Sequence, residues 1–187
     1  MERILLVTDY PNLYQLKLFN LNNKIASHYF TVKSRVHHIF QKQIRDLILN
    51  DLPNLKYFSL KYVCVTEEYD SKILSLLRRM SNLEELTLYL TIQNRIKFLD
   101  GTEINNQILI HMPQLYKFIF YISTEIQLDH LVPYLSSDDI QQTFTNIGYD
   151  QVASILSCYS DSVRCHVFSL PFLFDSLRGP RCSSIET

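Results

Sequence analysis

Apolar residues recur along the first two thirds of the chain in one nine-residue pattern that occurs four times. The copies occupy residues 10–18, 52–60, 80–88 and 112–120. Each begins with an apolar or aromatic residue, then Pro or Ser, then Asn or Gln, and continues as L-x-x-L-x-L, with Phe allowed at the last two apolar positions. Their first leucines stand at 13, 55, 83 and 115, so the intervals are 42, 28 and 32 residues. Repeats at such intervals indicate an architecture in which one unit stacks on the next.

The end of each copy predicts a short strand, because side chains alternate between the two faces of a strand. Two apolar residues should point into the core, and the residue between them should point out. Helical periodicity between the copies predicts helical crossovers, which join parallel strands. We therefore expect four parallel strands side by side, with these inward pairs: Leu16 and Leu18, Phe58 and Leu60, Leu86 and Leu88, and Phe118 and Phe120.

Residues 124–187 follow the pattern less clearly. A helix that ends at Gly148 is predicted first, with Asp138 and Asp139 as capping carboxylates at its start. Helical spacing of apolar residues predicts a second helix over residues 150–159, and a strand is predicted over residues 163–170.

The four copies resemble the leucine-rich-repeat region of F-box proteins and their relatives, over roughly residues 1–125. This resemblance implies an α/β fold, namely a short and incomplete leucine-rich-repeat solenoid. Parallel strands would line its concave face and helices its convex face, in a right-handed β/α superhelix. The implied domain covers residues 1–178, with the clearest repeats at 10–125 and a diverged C-terminal repeat at 126–178. Residues 179–187 are expected to form a disordered tail.

The sequence departs from that family in two ways. Many leucine-rich repeats carry Asn three residues beyond the last strand Leu, but the matching positions here are Leu21, Val63, Thr91 and Ser123. An F-box, the helical module that binds a ligase adaptor, has no visible counterpart ahead of the first copy. The first residues read as the end of a helix that feeds a repeat, so a fragment of a longer protein is expected.

The resemblance implies a protein–protein interaction module, similar to the repeats that recognise substrates in ubiquitin-ligase complexes. The alternative is a free-standing scaffold or inhibitor with no link to ubiquitination. Either would bind a protein partner on the concave face, where aromatic residues flanked by mixed charges suit recognition. The expected contact residues are Gln15, Lys17, Tyr57, Ser59, Glu85, Thr87, Tyr89, Lys117, Ile119 and Tyr121.

Charge and composition argue against other functions. The formal net charge of −1 lacks the basic surplus typical of nucleic-acid binding. No apolar run approaches the roughly 18 residues of a membrane span, and no signal peptide is visible. The four cysteines form no CxxC pair, which fits a reducing compartment, so a cytoplasmic or nuclear location is expected.

No catalytic motif, cofactor motif or metal-ligand spacing is present, so we expect a protein that is not an enzyme and binds no cofactor, metal or small-molecule substrate. The histidine pair His37–His38 fits an exposed helical turn better than a metal site. An enzymatic alternative would depend on Cys158, Cys165 and His166. Neighbouring residues on a strand point to opposite faces, which disfavours a pairing of Cys165 with His166.

Overall fold

The computed structural model describes residues 15–19, 54–127 and 136–175 of the 187-residue chain. These residues form one six-stranded sheet with short helical segments against it. The strands are β1 (Gln15–Phe19), β2 (Tyr57–Thr66), β3 (Glu85–Ile92), β4 (Lys117–Gln127), β5 (Val152–Cys158) and β6 (Ser162–Ser169). The α-helices are α1 (Leu74–Leu77), α2 (Gly101–Gln107) and α3 (Ser137–Thr145). A π-helical turn, Tyr69–Ile73, precedes α1, and a 3-10 turn, Leu109–His111, follows α2.

The four repeat segments pair in parallel, as predicted. One register position aligns Leu16 with Phe58, Leu86 and Phe118, and the position two residues later aligns the second inward residues of all four strands. On β2, β3 and β4 every inward residue of these pairs is buried. The repeat pattern therefore predicted both the direction and the register of these strands correctly.

The predicted solenoid, however, is wrong as a fold class. The sheet is mixed, with strand order β1-β2-β3-β4-β6-β5, because β6 pairs antiparallel with β4 and β5 pairs antiparallel with β6. A solenoid continues by adding one parallel strand per repeat. Here an antiparallel hairpin occupies the free edge of β4, so the parallel stacking ends at the fourth repeat segment. Among the described residues, the helices are three short segments, and no regular convex helical layer accompanies the sheet.

The hairpin also corrects the predicted second helix, because its residues form β5 instead. Val152, Leu156 and Tyr159 fit a helical spacing, but Val152 and Leu156 also fit strand alternation through Ser154. Short apolar segments satisfy both periods, and pairing with β6 decides between them. The strand predicted over residues 163–170 is confirmed as β6, although its direction is antiparallel.

A single large core lies between the sheet and the helical segments. It contains the inward residues of β2, β3 and β4 together with Leu76, Leu77, Ile104 and Phe144. A leucine lies in the turn before each of β2, β3 and β4, and this residue is fully buried at Leu55 and Leu83. These leucines close the core at the start of the strands.

Two local features fix the helices. Ser136 and Asp139 form a capping box at the start of α3, so the expected capping by Asp139 is confirmed. Helix α2 is capped by Asp100, whose side chain accepts a hydrogen bond from the N–H of Glu103 at 2.8 Å.

The first residue of α2, Gly101, touches α3: a Cβ there would lie 2.6 Å from backbone atoms of Thr143 and Phe144.

The free side of β5 is partly occupied by α3. Ser137 Oγ donates to the backbone oxygen of Ser154 at 2.7 Å, and Ser154 Oγ donates to the backbone oxygen of Ser137 at the same distance. These two bonds tie the start of α3 to the middle of the strand. Residues 179–187 and the His37–His38 pair lie outside the described residues.

Candidate protein-binding face

The face of the sheet opposite the helices is called the outer face here, and its side chains form rows that cross the strands. Two rows near the start of the repeat strands are called the open rows. The first consists of Gln15, Tyr57, Glu85 and Lys117, and the second of Lys17, Ser59, Thr87 and Ile119. The next row is called the aromatic row and consists of Lys61, Tyr89, Tyr121, Phe168 and Ala153, and Phe19 of β1 is described only through its backbone pairing with Lys61.

The open rows hold eight of the ten residues expected to contact a partner. Lys17 and Lys117 are exposed, and the other described side chains of these rows are half-buried. Gln15 is described only through its backbone pairing with Tyr57. Within the described part of the chain, no segment crosses these two rows, so they form a solvent-facing surface.

Two of the three charged side chains in the open rows, Glu85 and Lys117, are paired with each other. Lys117 Nζ lies 2.9 Å from Glu85 Oε2, and the Tyr116 hydroxyl donates to Glu85 Oε1 at 3.0 Å. Hydrogen bonds from these two side chains hold the pKa of Glu85 below its usual value, and the same bond to Glu85 raises the pKa of Tyr116 to about 12. Lys56 and Glu84 form a second ion pair just ahead of the row. The open rows therefore carry both signs of charge with little net excess.

Tyr116 is a member of this surface that the sequence analysis did not select. Its side chain is 68% exposed, and it lies immediately before β4. Tyr116 lies one residue before the strand, and at that position the repeat pattern does not specify which way a side chain points. The pattern therefore gave no signal for this residue.

The remaining two expected contact residues are buried. Tyr89 and Tyr121 are 3% and 1% exposed, and their rings stack with centroids 4.6 Å apart. The Tyr121 hydroxyl lies 2.9 Å from Nδ1 of His166, which belongs to the next row. Burial raises the pKa of Tyr121 above its usual range. In this conformation the two tyrosines form a small second core instead of a surface.

A segment that the sequence analysis did not anticipate covers them. Residues 170–175, called the strap, leave β6 and run across the aromatic row. The Phe174 ring lies 5.2 Å from that of Tyr89, and the Phe172 ring lies 6.2 Å from Tyr121 and 5.2 Å from Phe168. The strap thus places two aromatic side chains on three aromatic residues of the sheet.

The strap ends at an ion pair with the second strand. Asp175 Oδ2 lies 3.1 Å from Lys61 Nζ, and the same ammonium group lies 5.6 Å from the centre of the Tyr89 ring. Among the described residues, the backbone hydrogen bond that joins the strap to the sheet is at its start, from the Leu170 N–H to the Gln151 oxygen at 2.8 Å. Within Pro171–Asp175, the contacts that the structure describes between the strap and the sheet are made by side chains.

Ring packing and one ion pair hold the strap on the sheet. An aromatic pair contributes roughly 0.5–1.5 kcal/mol beyond its buried area. The side chain of Asp175 is 95% exposed, and exposed ion pairs contribute roughly 0–1 kcal/mol. Leu173, in the middle of the strap, is 61% exposed and adds little. Because the contacts described between Pro171–Asp175 and the sheet are made by side chains, we infer that the strap opens locally at a lower cost in free energy than unfolding of the sheet.

Beyond the aromatic row, the outer face becomes polar. Glu125 on β4 accepts hydrogen bonds from Gln93 at 3.0 Å, from Ser162 at 3.0 Å, and from Arg164. Burial raises the pKa of Glu125, but the bonds from Gln93 and Arg164 outweigh it, so the pKa lies below its usual value. A shallow cavity of about 280 Å³ adjoins this carboxylate and includes Asn94 and Gln127.

Arg95 fixes the loop beside that cavity. Its guanidinium group lies 3.5 Å from Asp70 and 3.1 Å from Glu103, and it stands over the ring of Tyr69. The Arg95 side chain is only 8% exposed. Arg95 therefore links the turn before α1 to helix α2 and stabilises the loop between them and β3.

The structure separates the residues of the enzymatic alternative. Cys165 lies in the main core, and burial raises the pKa of its thiol to about 12. His166 points to the outer face, where it contacts Tyr121, as strand alternation predicted. Cys158 is exposed at the end of β5. A thiolate at Cys165 with His166 as its base is disfavoured by both the geometry and the raised pKa.

Within the described ranges, no three His, Cys, Asp or Glu side chains are grouped in a way that could hold a metal ion. Helices long and apolar enough to cross a membrane are likewise absent from those ranges. No protein-family model, curated protein or solved structure matches the chain. The F-box resemblance and the ubiquitin-ligase function that it implies therefore remain predictions from the sequence.

Proposed function

We propose that this chain is a protein-binding module and that the open rows of the outer face contact the partner. The supporting observation is the asymmetry of the sheet. One face is buried under helical segments, while the open rows present side chains of β1–β4 to solvent at aligned register positions. Such a flat, regular surface is suited to contact with another macromolecule.

The chemistry of the open rows favours a protein over a nucleic acid. Phosphate binding needs cations that are free to neutralise it. In the open rows Lys117 is paired with Glu85, and Lys56 just ahead of them is paired with Glu84. Among the described side chains of these rows, this leaves Lys17 as a single exposed cation, far short of the basic surplus that phosphate contacts need. Exposed aromatic groups such as Tyr116 give large contact area at low entropic cost, which is typical of protein interfaces.

Site-specific photo-crosslinking tests the proposal. A photoreactive amino acid replaces Thr87, in the open rows, and in a matched control it replaces Thr102, which is exposed on helix α2. In cell extract we expect Thr87 to yield one discrete crosslinked protein, identified by mass spectrometry, and Thr102 to yield none. Equal crosslinking from both positions, or none from Thr87, would overturn the proposal.

A charge exchange sharpens this test. The double variant Glu85→Lys/Lys117→Glu keeps the net charge and retains an opposite-charge pair, but it reverses the charge pattern that a partner meets. Because misplaced interface charges cost several kcal/mol, the crosslink from Thr87 should fall at least about tenfold. An unchanged yield would show that the partner does not contact this part of the open rows.

The same experiment separates the two versions of the proposal. If the chain recognises substrates for a ubiquitin ligase, ligase components should be recovered together with the crosslinked partner. If it is a free-standing scaffold or inhibitor, the partner should be recovered without them. The cytoplasmic or nuclear location, inferred from the cysteine pattern, also belongs to the proposal.

A further inference from the structure

The strap occupies the aromatic row with side chains of one simple pattern. Phe172 and Phe174 are separated by one residue and contact the stacked rings, and Asp175 then reaches Lys61. The pattern is aromatic, any residue, aromatic, acidic. The sheet supplies a matching set in one row, with two tyrosines and a phenylalanine followed by an ammonium group.

Contacts of this kind do not require that the segment belong to the same chain. From Pro171 to Asp175 the described strap is held by side chains, so an external peptide that brings the same side chains can make the same contacts. A strap that opens at low cost leaves this row vacant for a fraction of the time. The apparent affinity of an external ligand is then its intrinsic affinity multiplied by the fraction of chains in which the row is vacant.

The aromatic row also lies directly beside the open rows. Tyr89 and Thr87 are alternate residues of β3, and Tyr121 and Ile119 are alternate residues of β4. When the strap leaves, the outer face becomes one continuous surface from Lys117 to Phe168. That larger surface includes all of the described side chains that the repeat pattern places on the outer face.

We propose that the strap is an intramolecular substitute for a partner's segment, and that the aromatic row with Lys61 binds segments of the form aromatic-x-aromatic-acidic. This inference rests on the proposed protein-binding function and names the chemistry of the partner. The occupant is a segment of a separate protein, and it displaces the strap when it binds.

The probe is a fluorescent peptide with the sequence of residues 170–175, capped at both ends and titrated against the full chain. Two single variants make the matched pair. Asp175→Ala and Lys61→Ala remove the same ion pair and so loosen the strap similarly, but only Lys61→Ala also removes the group that would bind the peptide's acid. We expect Asp175→Ala to bind the peptide about threefold more tightly than the unchanged chain, and Lys61→Ala to bind it more weakly than Asp175→Ala.

A second peptide, with Asn in place of its Asp, checks the charge contact. It should bind the two variants with equal affinity, because Lys61 then has no carboxylate to meet. A third peptide, with both Phe replaced by Ala, should show no saturable binding. These surface variants leave the main core unchanged, and circular dichroism and thermal melting confirm that each is folded.

Three results would overturn the inference. One is equal binding of the first peptide by Asp175→Ala and Lys61→Ala. Another is no saturable binding of it by any variant that is folded. The third is a dimer of the unchanged chain that the peptide dissociates, which would identify a second copy as the occupant.

Crosslinking from Thr87 does not depend on Lys61 or the strap. A partner captured there without peptide binding would thus reject this inference alone, and peptide binding without capture would reject the use of the open rows alone.

Discussion

The four repeat strands and the C-terminal hairpin belong to one sheet, but they leave its outer face in different states. Over β1–β4 the first two rows are open, and Lys117 and Glu85 form an ion pair there. Over β6 and the later part of β3 and β4, the strap converts the next row into a small core. Tyr89 and Thr87 lie two residues apart on one strand and point to the same face of the sheet, but the strap covers Tyr89 and does not cover Thr87. Whether such a residue is surface or core is therefore decided by a segment from outside the repeats.

One inward leucine from each region also shows a difference in burial. Leu88, in the middle of the repeat region, is fully buried, whereas Leu156, on the edge strand β5, is half-buried. A central strand is covered by neighbours on both sides, and an edge strand by only one. The following predictions test this contrast, from the largest expected effect to the smallest.

The first prediction compares leucine truncations in the two regions. Leu88→Ala should lower the free energy of unfolding by roughly 2–5 kcal/mol, because it removes a fully buried side chain and leaves a cavity. Leu156→Ala should cost no more than about half as much, since part of that side chain already contacts water. Urea denaturation of both variants provides the measurement. Equal losses would show that β5 is as deeply packed as β3.

The second prediction concerns the contact that joins the two regions. Gly101→Ala places a methyl group 2.6 Å from the backbone of α3, so α2 and α3 must separate. We expect a loss of roughly 1–3 kcal/mol, as for other overpacked sites. Thr102→Ala, at the next and exposed position of α2, is the control and should change stability by less than about 0.5 kcal/mol. A Gly101→Ala variant as stable as the control would mean that α2 and α3 are not in close contact.

The third prediction compares two carboxylates as the pH falls. The folded pKa of Glu125 lies below the usual value of 4.5, so its stabilising contribution is complete above about pH 4.5 and is lost as the pH falls through the folded pKa. Glu125→Gln should cost at most about 1 kcal/mol at pH 7 and should flatten the decline in stability below pH 4.5. The pKa of Glu85 is also lowered, by hydrogen bonds from Lys117 and Tyr116, but solvent screens this pair, so Glu85→Gln should flatten the decline less than Glu125→Gln does. Urea midpoints between pH 3 and 7 give the comparison, and identical slopes for both variants would contradict it.

The sequence specified the repeat region well because its signal is local. The alternation around Phe58, Leu86 and Phe118 determines which side chains point inward, and the repetition determines that equivalent positions align. Burial of equivalent leucines on neighbouring strands then reinforces the same register. The open rows follow from this register, which explains why eight of the ten expected contact residues lie there.

The C-terminal region could not be specified in the same way. The apolar positions of β5 fit both periods, and only the pairing of Ile155 with His166 and of its neighbours with β6 selects the strand. The position of the strap depends on contacts distant in sequence, such as that between Lys61 and Asp175, which are 114 residues apart. No local pattern encodes such a contact, so the burial of Tyr89 and Tyr121 could not be inferred from the repeats.

The strand order has a consequence for synthesis on the ribosome. β6 lies between β4 and β5 in the sheet, although it follows both of them in the chain. The second edge of β4 thus has no partner until residue 169 has left the exit tunnel. Phe118–Ser123 carries no charge, proline or glycine, which are the features that protect a strand edge from pairing with another chain. During translation, a nascent chain that stalls before β6 therefore presents an aggregation-prone edge, which chaperones would have to shield.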